Sequence, residues 1–311
     1  MPYAVIFPGQ GAAAPGAGRP WVDHQAWNVV GQAEAVLDRP LARLLLEADA
    51  PELAATGASQ LAVLLTSLVA WEALAPQLDD RPVAFAGHSL GQITALLAAG
   101  AVDRDDGFRL AADRADLSQA SAHARPGSMA ALVGAELDVA ARVCEGGDGV
   151  WIANDNAPGQ VVIAGTPGGL DAASERARQL GVRRVMRLNV GHAFHTPLLA
   201  DAAAGLRPVL EALAFREATA PVVANTDALG HTDPQCWPDQ LTRHLVEPVR
   251  WRESQRTLAA SGATTFIEVG PGRVLAGLAR RTVPDVTVRN VTTPDDLSNL
   301  LATDTLAGAT R

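Results

Sequence analysis

The pentapeptide G-x-S-x-G at residues 87–91 contains the serine best placed for chemistry, Ser89. The apolar run from Val83 to Ala86 precedes it and predicts a buried strand, and apolar residues at helical spacing follow it. A serine between a strand and a helix is typical of a nucleophile elbow, in which the hydroxyl is exposed at the mouth of a sheet. The same pattern also occurs as a purely structural turn, so a partner base is needed to support catalysis.

A serine hydroxyl is a weak nucleophile until a base removes its proton, and histidine is the usual base. His88 adjoins Ser89, but neighbouring side chains on an elbow point apart, so we expect His88 to pack or bond beneath the turn. His192 and His195 lie where a predicted strand ends and a helix begins, which is where catalytic groups collect in α/β folds. The H-x-x-H spacing also suits a metal pair, but no third ligand stands at a recognisable spacing and no metal site is predicted.

The elements around these residues predict an α/β fold. A strand from Tyr3 to Phe7 leads into a glycine-rich turn, and amphipathic helices are predicted from Ser59 to Leu74 and from Asp105 to Gln119. Alternating strands and helices of this kind favour a parallel sheet, with the turn after the first strand at the same edge as Ser89.

Residues 127–190 change to the order β-α-β-β-α-β, which is the signature of a small ferredoxin-like domain. The pattern of the larger domain resumes afterwards, with a helix from Pro197 to Leu213 and a strand from Thr264 to Val269. We therefore predict a large α/β-hydrolase-like domain with a parallel sheet, formed by residues 1–126 and 191–311, and an inserted small domain at 127–190. The cleft between the two domains is the predicted substrate site.

Composition excludes several classes of function. The formal net charge of −9 argues against a nucleic-acid binder, because phosphate contacts need clustered positive charge. No apolar run reaches the length expected of a membrane span, and no leader pattern precedes the first strand, so neither a membrane nor secretion is predicted. Two cysteines are too few for a disulfide framework, which favours a reduced, cytoplasmic setting.

Several motifs together resemble the acyltransferases that act on acyl carrier proteins, namely the malonyl-CoA:carrier-protein transacylases of fatty acid synthesis and the related units of polyketide synthases. The motifs occur in the order of that family: FPGQG at 7–11, GHSLG at 87–91, Arg114, the segment 154–165, HAFH at 192–195, PVRW at 248–251 and EVGPG at 268–272. They extend over nearly the whole chain. Any one of them alone would be weak evidence, whereas the ordered set is specific.

The resemblance implies a role for each motif. Ser89 would be the nucleophile and His195 its general base, oriented by a backbone carbonyl instead of a carboxylate. The backbone N–H groups of Gln10 and Leu90 would form the oxyanion hole. The substrates would be malonyl-CoA and a phosphopantetheinylated acyl carrier protein, with no bound cofactor and coenzyme A entering only as the substrate's thioester.

The resemblance also implies a pocket for the acyl group. Arg114 would bind an acyl carboxylate through two parallel hydrogen bonds, and the alternative is a surface ion pair with Asp113 or Asp116. The HAFH motif resembles the malonyl-selective form, in which Phe194 fills the space that a branching methyl needs. His192 and Ser118 complete the predicted substrate-binding set.

Two departures from the family leave the acyl group open. His244 stands where glutamine is common, and Ser118 stands where a bulkier residue is common, which leaves room for a larger acyl group. The alternatives to malonyl transfer are therefore transfer of a non-malonyl or larger acyl group between carriers, hydrolysis of acyl carrier proteins, and a scaffold without activity. Arg114 argues against hydrolysis, because a discarding enzyme has no evident need for a carboxylate clamp.

Overall fold

The computed structural model describes residues 1–147, 149–188, 190 and 192–302. The described residues form ten strands: β1 (Tyr3–Phe7), β2 (Ala84–Gly87), β3 (Ser128–Val133), β4 (Val150–Ala157), β5 (Gln160–Gly165), β6 (Arg184–Arg187), β7 (Val222–Val223), β8 (Gly230–His231), β9 (Thr265–Val269) and β10 (Thr287–Val291). They also form thirteen α-helices: α1 (Asn28–Leu37), α2 (Leu41–Leu46), α3 (Ala50–Leu53), α4 (Thr56–Leu74), α5 (Gly91–Ala98), α6 (Arg104–Ala124), α7 (Leu137–Cys144), α8 (Pro167–Gln179), α9 (Ala200–Ala212), α10 (Trp237–His244), α11 (Trp251–Ala260), α12 (Val274–Thr282) and α13 (Pro294–Ala302).

Six strands form a mixed, mainly parallel sheet in the order β10-β9-β1-β2-β7-β8. All pairs are parallel except β7 with β8. All five residues of β1 are buried, as expected for a central strand that is covered by helices on both faces. The carboxyl ends of β1, β2 and β7 meet at one edge, so the chain segments that follow these strands lie close together.

Four strands form a separate antiparallel sheet in the order β4-β5-β3-β6. Together with α7 and α8 they give the predicted order β-α-β-β-α-β, and residues such as Leu132, Ile163 and Leu170 form a core of their own. The small sheet is joined to the rest of the fold through β4, where Asp155 donates its backbone N–H to the carbonyl of Val249.

Helix α4 is buried on nearly all sides, which differs from the amphipathic helix expected there. The stretch Thr56–Gln77 is the one helix in the described part of the chain that is long and apolar enough to cross a membrane, contrary to the expectation that no run would be. The fold buries 83% of its most apolar window, as in the core helix of a globular domain.

Other differences from the predicted elements are local. Helix α6 continues to Ala124, β4 continues to Ala157 through two irregularities in its pairing, and β6 ends at Arg187 instead of residue 190. The predicted helix from Pro197 begins as a single 3-10 turn, Pro197–Leu199, before α9. The predicted domain limits fall partly on residues 191 and 303–311, which lie outside the described residues.

Candidate active site

Ser89 lies in the turn between β2 and α5 with a φ of 54°, in the left-handed region that few residues other than glycine adopt. Holding a serine there costs roughly 1–3 kcal/mol, so surrounding contacts must stabilise the turn. Gly87 and Gly91 make the turn possible, because a Cβ on Gly87 would stand 1.8 Å from the carbonyl oxygen of Gly91. The elbow predicted from the sequence is present, and Ser89 is 8% exposed.

The loop after β1 approaches the elbow closely. A Cβ on Gly91 would stand 2.3 Å from the carbonyl oxygen of Phe7, so only glycine allows this contact. The approach places Gln10 in the wall of the same cavity as Ser89. Among the described residues, neither the backbone N–H of Gln10 nor that of Leu90 donates to another protein atom. Both donors are therefore available to an oxyanion.

His195 contacts Ser89 directly, with 2.8 Å between its Nε2 and Oγ of Ser89. Its Nδ1 donates to the backbone carbonyl of His244 over 2.7 Å, which leaves Nε2 unprotonated and able to accept the serine proton. His195 also has a left-handed φ, 59°. The His244 side chain stacks on it, with 5.0 Å between ring centroids.

Burial is the main cause that lowers the pKa of His195 to about 3, and the nearby Arg114 guanidinium lowers it further. The imidazole is therefore neutral at physiological pH. No aspartate or glutamate of the described residues bonds to it, so the arrangement is a serine–histidine dyad held by a carbonyl.

Arg114 is 3% exposed and lies beside the nucleophile. Its Nη2 is 3.3 Å from Oγ of Ser89, and its Nη1 donates to the side-chain oxygen of Gln60. The surface ion pair considered as an alternative does not form among the described residues. Asp116 pairs with Arg39 at 2.6 Å, and Arg114 is buried and makes no ion pair with Asp113. Burial lowers the pKa of Arg114 to about 10, so the guanidinium stays charged at neutral pH. No carboxylate of the described residues pairs with it.

A cavity of about 260 Å³ lies between the two sheets and contains Ser89 and His195. Its remaining wall is mostly apolar, with small-sheet residues opposite the elbow: Met129, Ala131, Asn154, Asn156 and Val162. Phe194 is 4% exposed and also lines this space. The cavity thus combines a mainly apolar lining with the reactive groups of Ser89 and His195, as is common in sites that bind small molecules.

His192 and Ser118 are both fully buried, and neither lines that cavity. Nε2 of His192 is 3.3 Å from Oγ of Ser121, whereas the hydroxyl of Ser118 has no hydrogen-bond partner in the described structure. Their contact with an acyl group stays a prediction. No group of three or more potential metal ligands occurs among the described residues.

Three polar side chains around the elbow were not singled out in the sequence. Oδ1 of Asn156 lies 2.9 Å from Nε2 of His88, and both residues line the cavity, whereas His88 was expected beneath the turn. Gln60 bonds Arg114, and Asn225 bonds the elbow itself from the end of β7. All three lie far from residues 87–91 in the chain. Asn156 belongs to the motif at 154–165, whereas no local pattern marks Gln60 or Asn225.

Comparison with known proteins identifies the family. Residues 4–299 match the model of the acyl transferase domain. The chain belongs to this family. It is 38% identical over 284 residues to the malonyl CoA-acyl carrier protein transacylase of Bacillus subtilis, covering 89% of each chain. It is 34% identical over 308 residues to the Escherichia coli K12 protein of the same name, covering 96% of this chain and 98% of that one.

Solved structures of similar proteins share the fold over nearly the full length. The acyl-carrier-protein S-malonyltransferase of Burkholderia pseudomallei superposes with a TM-score of 0.92 at 35% identity, over 97% of this chain and all of that one (100%). A malonyl-transacylase in complex with its type II PKS acyl-carrier protein gives a TM-score of 0.93 at 31% identity, over 97% and 100%. These structures agree with an α/β fold that has a mainly parallel sheet and a separate antiparallel sheet.

Proposed function

We propose that this acyltransferase moves a malonyl group from coenzyme A, through an ester on Ser89, to the phosphopantetheine thiol of an acyl carrier protein in fatty acid or polyketide synthesis. The assignment of malonyl as the acyl group rests on one observation. Arg114 is a buried cation that pairs with no carboxylate of the described residues. It lies 3.3 Å from the nucleophile, and the terminal carboxylate of malonyl supplies the missing anion.

The first half-reaction loads the serine. His195 accepts the Ser89 proton as Oγ attacks the thioester carbonyl, and the N–H groups of Gln10 and Leu90 stabilise the resulting oxyanion. When the intermediate collapses, the carbon–sulfur bond breaks, and His195 gives the proton to the departing coenzyme A thiolate. The products are malonyl-Ser89 and free coenzyme A.

The second half-reaction runs the same steps with the carrier protein. His195 accepts the proton of the phosphopantetheine thiol, and the sulfur attacks the ester carbonyl. The bond to Oγ breaks and Ser89 regains its proton from His195. The enzyme returns to its starting state, and neither a metal nor a redox cofactor takes part in the proposed steps.

The finer architecture belongs to the same proposal. We assign residues 1–126 and 191–311 to an α/β-hydrolase-like domain and residues 127–190 to a ferredoxin-like insertion. The serine between a parallel strand and a helix supports the first assignment, and the β-α-β-β-α-β order of the antiparallel sheet supports the second. The two free cysteines, Cys144 and Cys236, support a cytoplasmic setting.

The proposal is tested by incubating the protein with malonyl-CoA or acetyl-CoA and measuring the acyl-enzyme by intact mass. We expect a malonyl adduct on the wild type, none on Ser89→Ala, and on Arg114→Ala a loss of malonyl loading of about 10²-fold with relatively greater acetyl loading. Equal losses for both donors would give Arg114 a structural role instead.

Adding holo acyl carrier protein then separates the competing functions. Transfer predicts that the malonyl adduct disappears as malonyl-carrier appears. Discharge to water at a comparable rate would identify a hydrolase. No malonyl adduct, together with loading by a bulkier acyl-CoA, would favour the roomier pocket that the small Ser118 side chain permits.

A further inference from the structure

Asn225 follows β7, the neighbour of β2 in the large sheet, and is fully buried. Its Oδ1 accepts from the backbone N–H of Ser89 over 2.8 Å, and its Nδ2 donates to the carbonyl of Gly87 over 2.8 Å. The orientation of the amide is fixed by chemistry, because an N–H can only donate and a carbonyl can only accept. One side chain therefore bonds the elbow on both sides of residue 88.

These two bonds continue the sheet where its backbone pairing has stopped. Strand β2 pairs with β7 in parallel through Phe85 with Val222 and Ala86 with Val223. In a strand, the carbonyl of one residue and the N–H two residues later point to the same side. The amide of Asn225 thus takes the place that a peptide group of the neighbouring strand would occupy, just where Ser89 departs into its left-handed conformation.

Asn225 is itself held from two further elements. Its backbone N–H donates to Oε1 of Gln92 in α5 over 2.8 Å, and its carbonyl accepts from the N–H of Arg250 over 2.9 Å. A strained serine persists only when its surroundings over-determine it. Four hydrogen bonds on one buried residue provide that over-determination.

We infer that Asn225 is a positioning residue for the nucleophile: its amide bridges Gly87 and Ser89 and keeps Oγ of Ser89 within reach of both His195 and the oxyanion donors. The inference rests on the proposed role of Ser89 but not on the identity of the acyl group. Asn225 touches no substrate in this assignment and acts through the serine alone.

The test uses a neutral alkyl fluorophosphonate, which labels an activated serine. Oγ attacks phosphorus, fluoride leaves, and His195 takes the serine proton. Intact mass gives both the labelled fraction and the rate constant per site, so unfolded protein lowers the first without changing the second. Asn225→Ala is expected to label about 10²-fold more slowly per site, as for other small misplacements of reacting groups.

Asn225→Asp provides a readout that a merely structural role would not give. The aspartate carboxylate still accepts from the N–H of Ser89, but its second oxygen faces the carbonyl oxygen of Gly87 and repels it. Protonation of that second oxygen restores a donor to Gly87. Burial and that opposing carbonyl raise the pKa of such a carboxyl. We therefore expect the rate of Asn225→Asp relative to wild type to rise as the pH falls from about 8 to about 5.

Other ionisable groups face the same region: His88, His195 and Arg114 at the elbow, and Arg250 at the start of α11. Dividing each variant rate by the wild-type rate at the same pH removes the contribution of groups that both proteins share. Gln255→Leu is the matched control, because it deletes a fully buried amide that donates to two backbone carbonyls, those of Asn156 and Trp251. It should lower stability without a pH-dependent change in the labelling rate.

The possible outcomes distinguish failure of the positioning role from failure of the proposed function. If wild-type Ser89 is not labelled at all, the nucleophile and the proposed function fall together. If the wild type is labelled and both Asn225 variants label at its rate, or if Asn225→Asp shows no relative gain at low pH, only the positioning role is overturned. Should Asn225→Ala fail to fold, Asn225→Asp decides the question.

Discussion

The two sheets contribute different things to the active-site cavity. Ser89 follows β2 of the parallel sheet, and His195 and Arg114 reach it from the segment after β6 and from α6. All three side chains are at most 8% exposed, and each has a defined hydrogen-bond partner. The antiparallel sheet lines the cavity with apolar side chains such as Met129 and Val162 and with uncharged amides such as Asn154 and Gln160. The reactive groups are thus concentrated around the elbow after β2, whereas the antiparallel sheet shapes the space that the acyl donor enters.

This difference teaches how the two halves should respond to mutation. A polar group at the reactive end acts through geometry, so a small displacement has a large effect on rate. An apolar wall residue acts through contact area, so its loss has a graded effect. Four experiments test this contrast.

The largest expected effect comes from His195→Ala, which removes the base. The rate of acylation by malonyl-CoA, measured in single-turnover rapid-quench experiments, should fall by about 10⁴-fold while the protein stays folded. A loss below tenfold would show that another group accepts the serine proton. It would also contradict the expected difference in effect between the reactive residues and the wall residues.

Gly91→Ala should come next. Its Cβ would stand 2.3 Å from the carbonyl oxygen of Phe7 and would push the Gln10 loop away from the elbow. We expect acylation to slow by about 10²-fold. Gly31→Ala is the control, since nothing lies within 4 Å of a Cβ at this exposed position of α1, and it should leave the rate unchanged. Similar rates for both variants would contradict the close approach.

A matched pair on β5 probes the wall. Val162 lines the cavity, whereas the adjacent Val161 faces the core of the small sheet. Val162→Ala should lower kcat/KM for malonyl-CoA by no more than about tenfold. Val161→Ala should leave kcat/KM unchanged and lower the free energy of unfolding by about 1–3 kcal/mol, measured with urea. A larger loss of kcat/KM for Val161→Ala than for Val162→Ala would contradict the assignment of Val162 to the cavity wall.

The smallest effect concerns pH. Because burial lowers the pKa of His195 to about 3, the imidazole is unprotonated at higher pH and the base is lost only as the pH falls through that value. The acylation rate should therefore change by less than about twofold between about pH 8 and about pH 5. A midpoint near the ordinary histidine pKa would mean that water reaches the reactive end.

Sequence patterns predicted much of this molecule where the signal is local. The strands around Ser89, the β-α-β-β-α-β order and the family motifs are contiguous segments whose periodicity or residue types are visible directly. The contact of His195 with Ser89 was predicted as well, from the resemblance. The edge elements β8 and β10 were not predicted, because β8 has two residues and β10 is only partly buried.

The contacts that stabilise the site could not be predicted from the sequence, because they join residues that are distant in the chain. Asn225 and Gln60 reach the elbow and Arg114 only through tertiary packing, across separations of 136 and 54 residues. A single asparagine after a short strand gives no local sign that its amide completes a sheet. Likewise, the carbonyl of His244 orients His195 whatever side chain that residue carries.

The central strand of the large sheet has a consequence for folding. Tyr3 in β1 pairs with Thr265 in β9, so β1 gains its neighbour on that side only through a contact between segments that are far apart in the chain. The carbonyl of His244, which orients His195, reaches the site through a similarly late segment. The dyad of Ser89 and His195 is therefore complete only when these long-range contacts have formed.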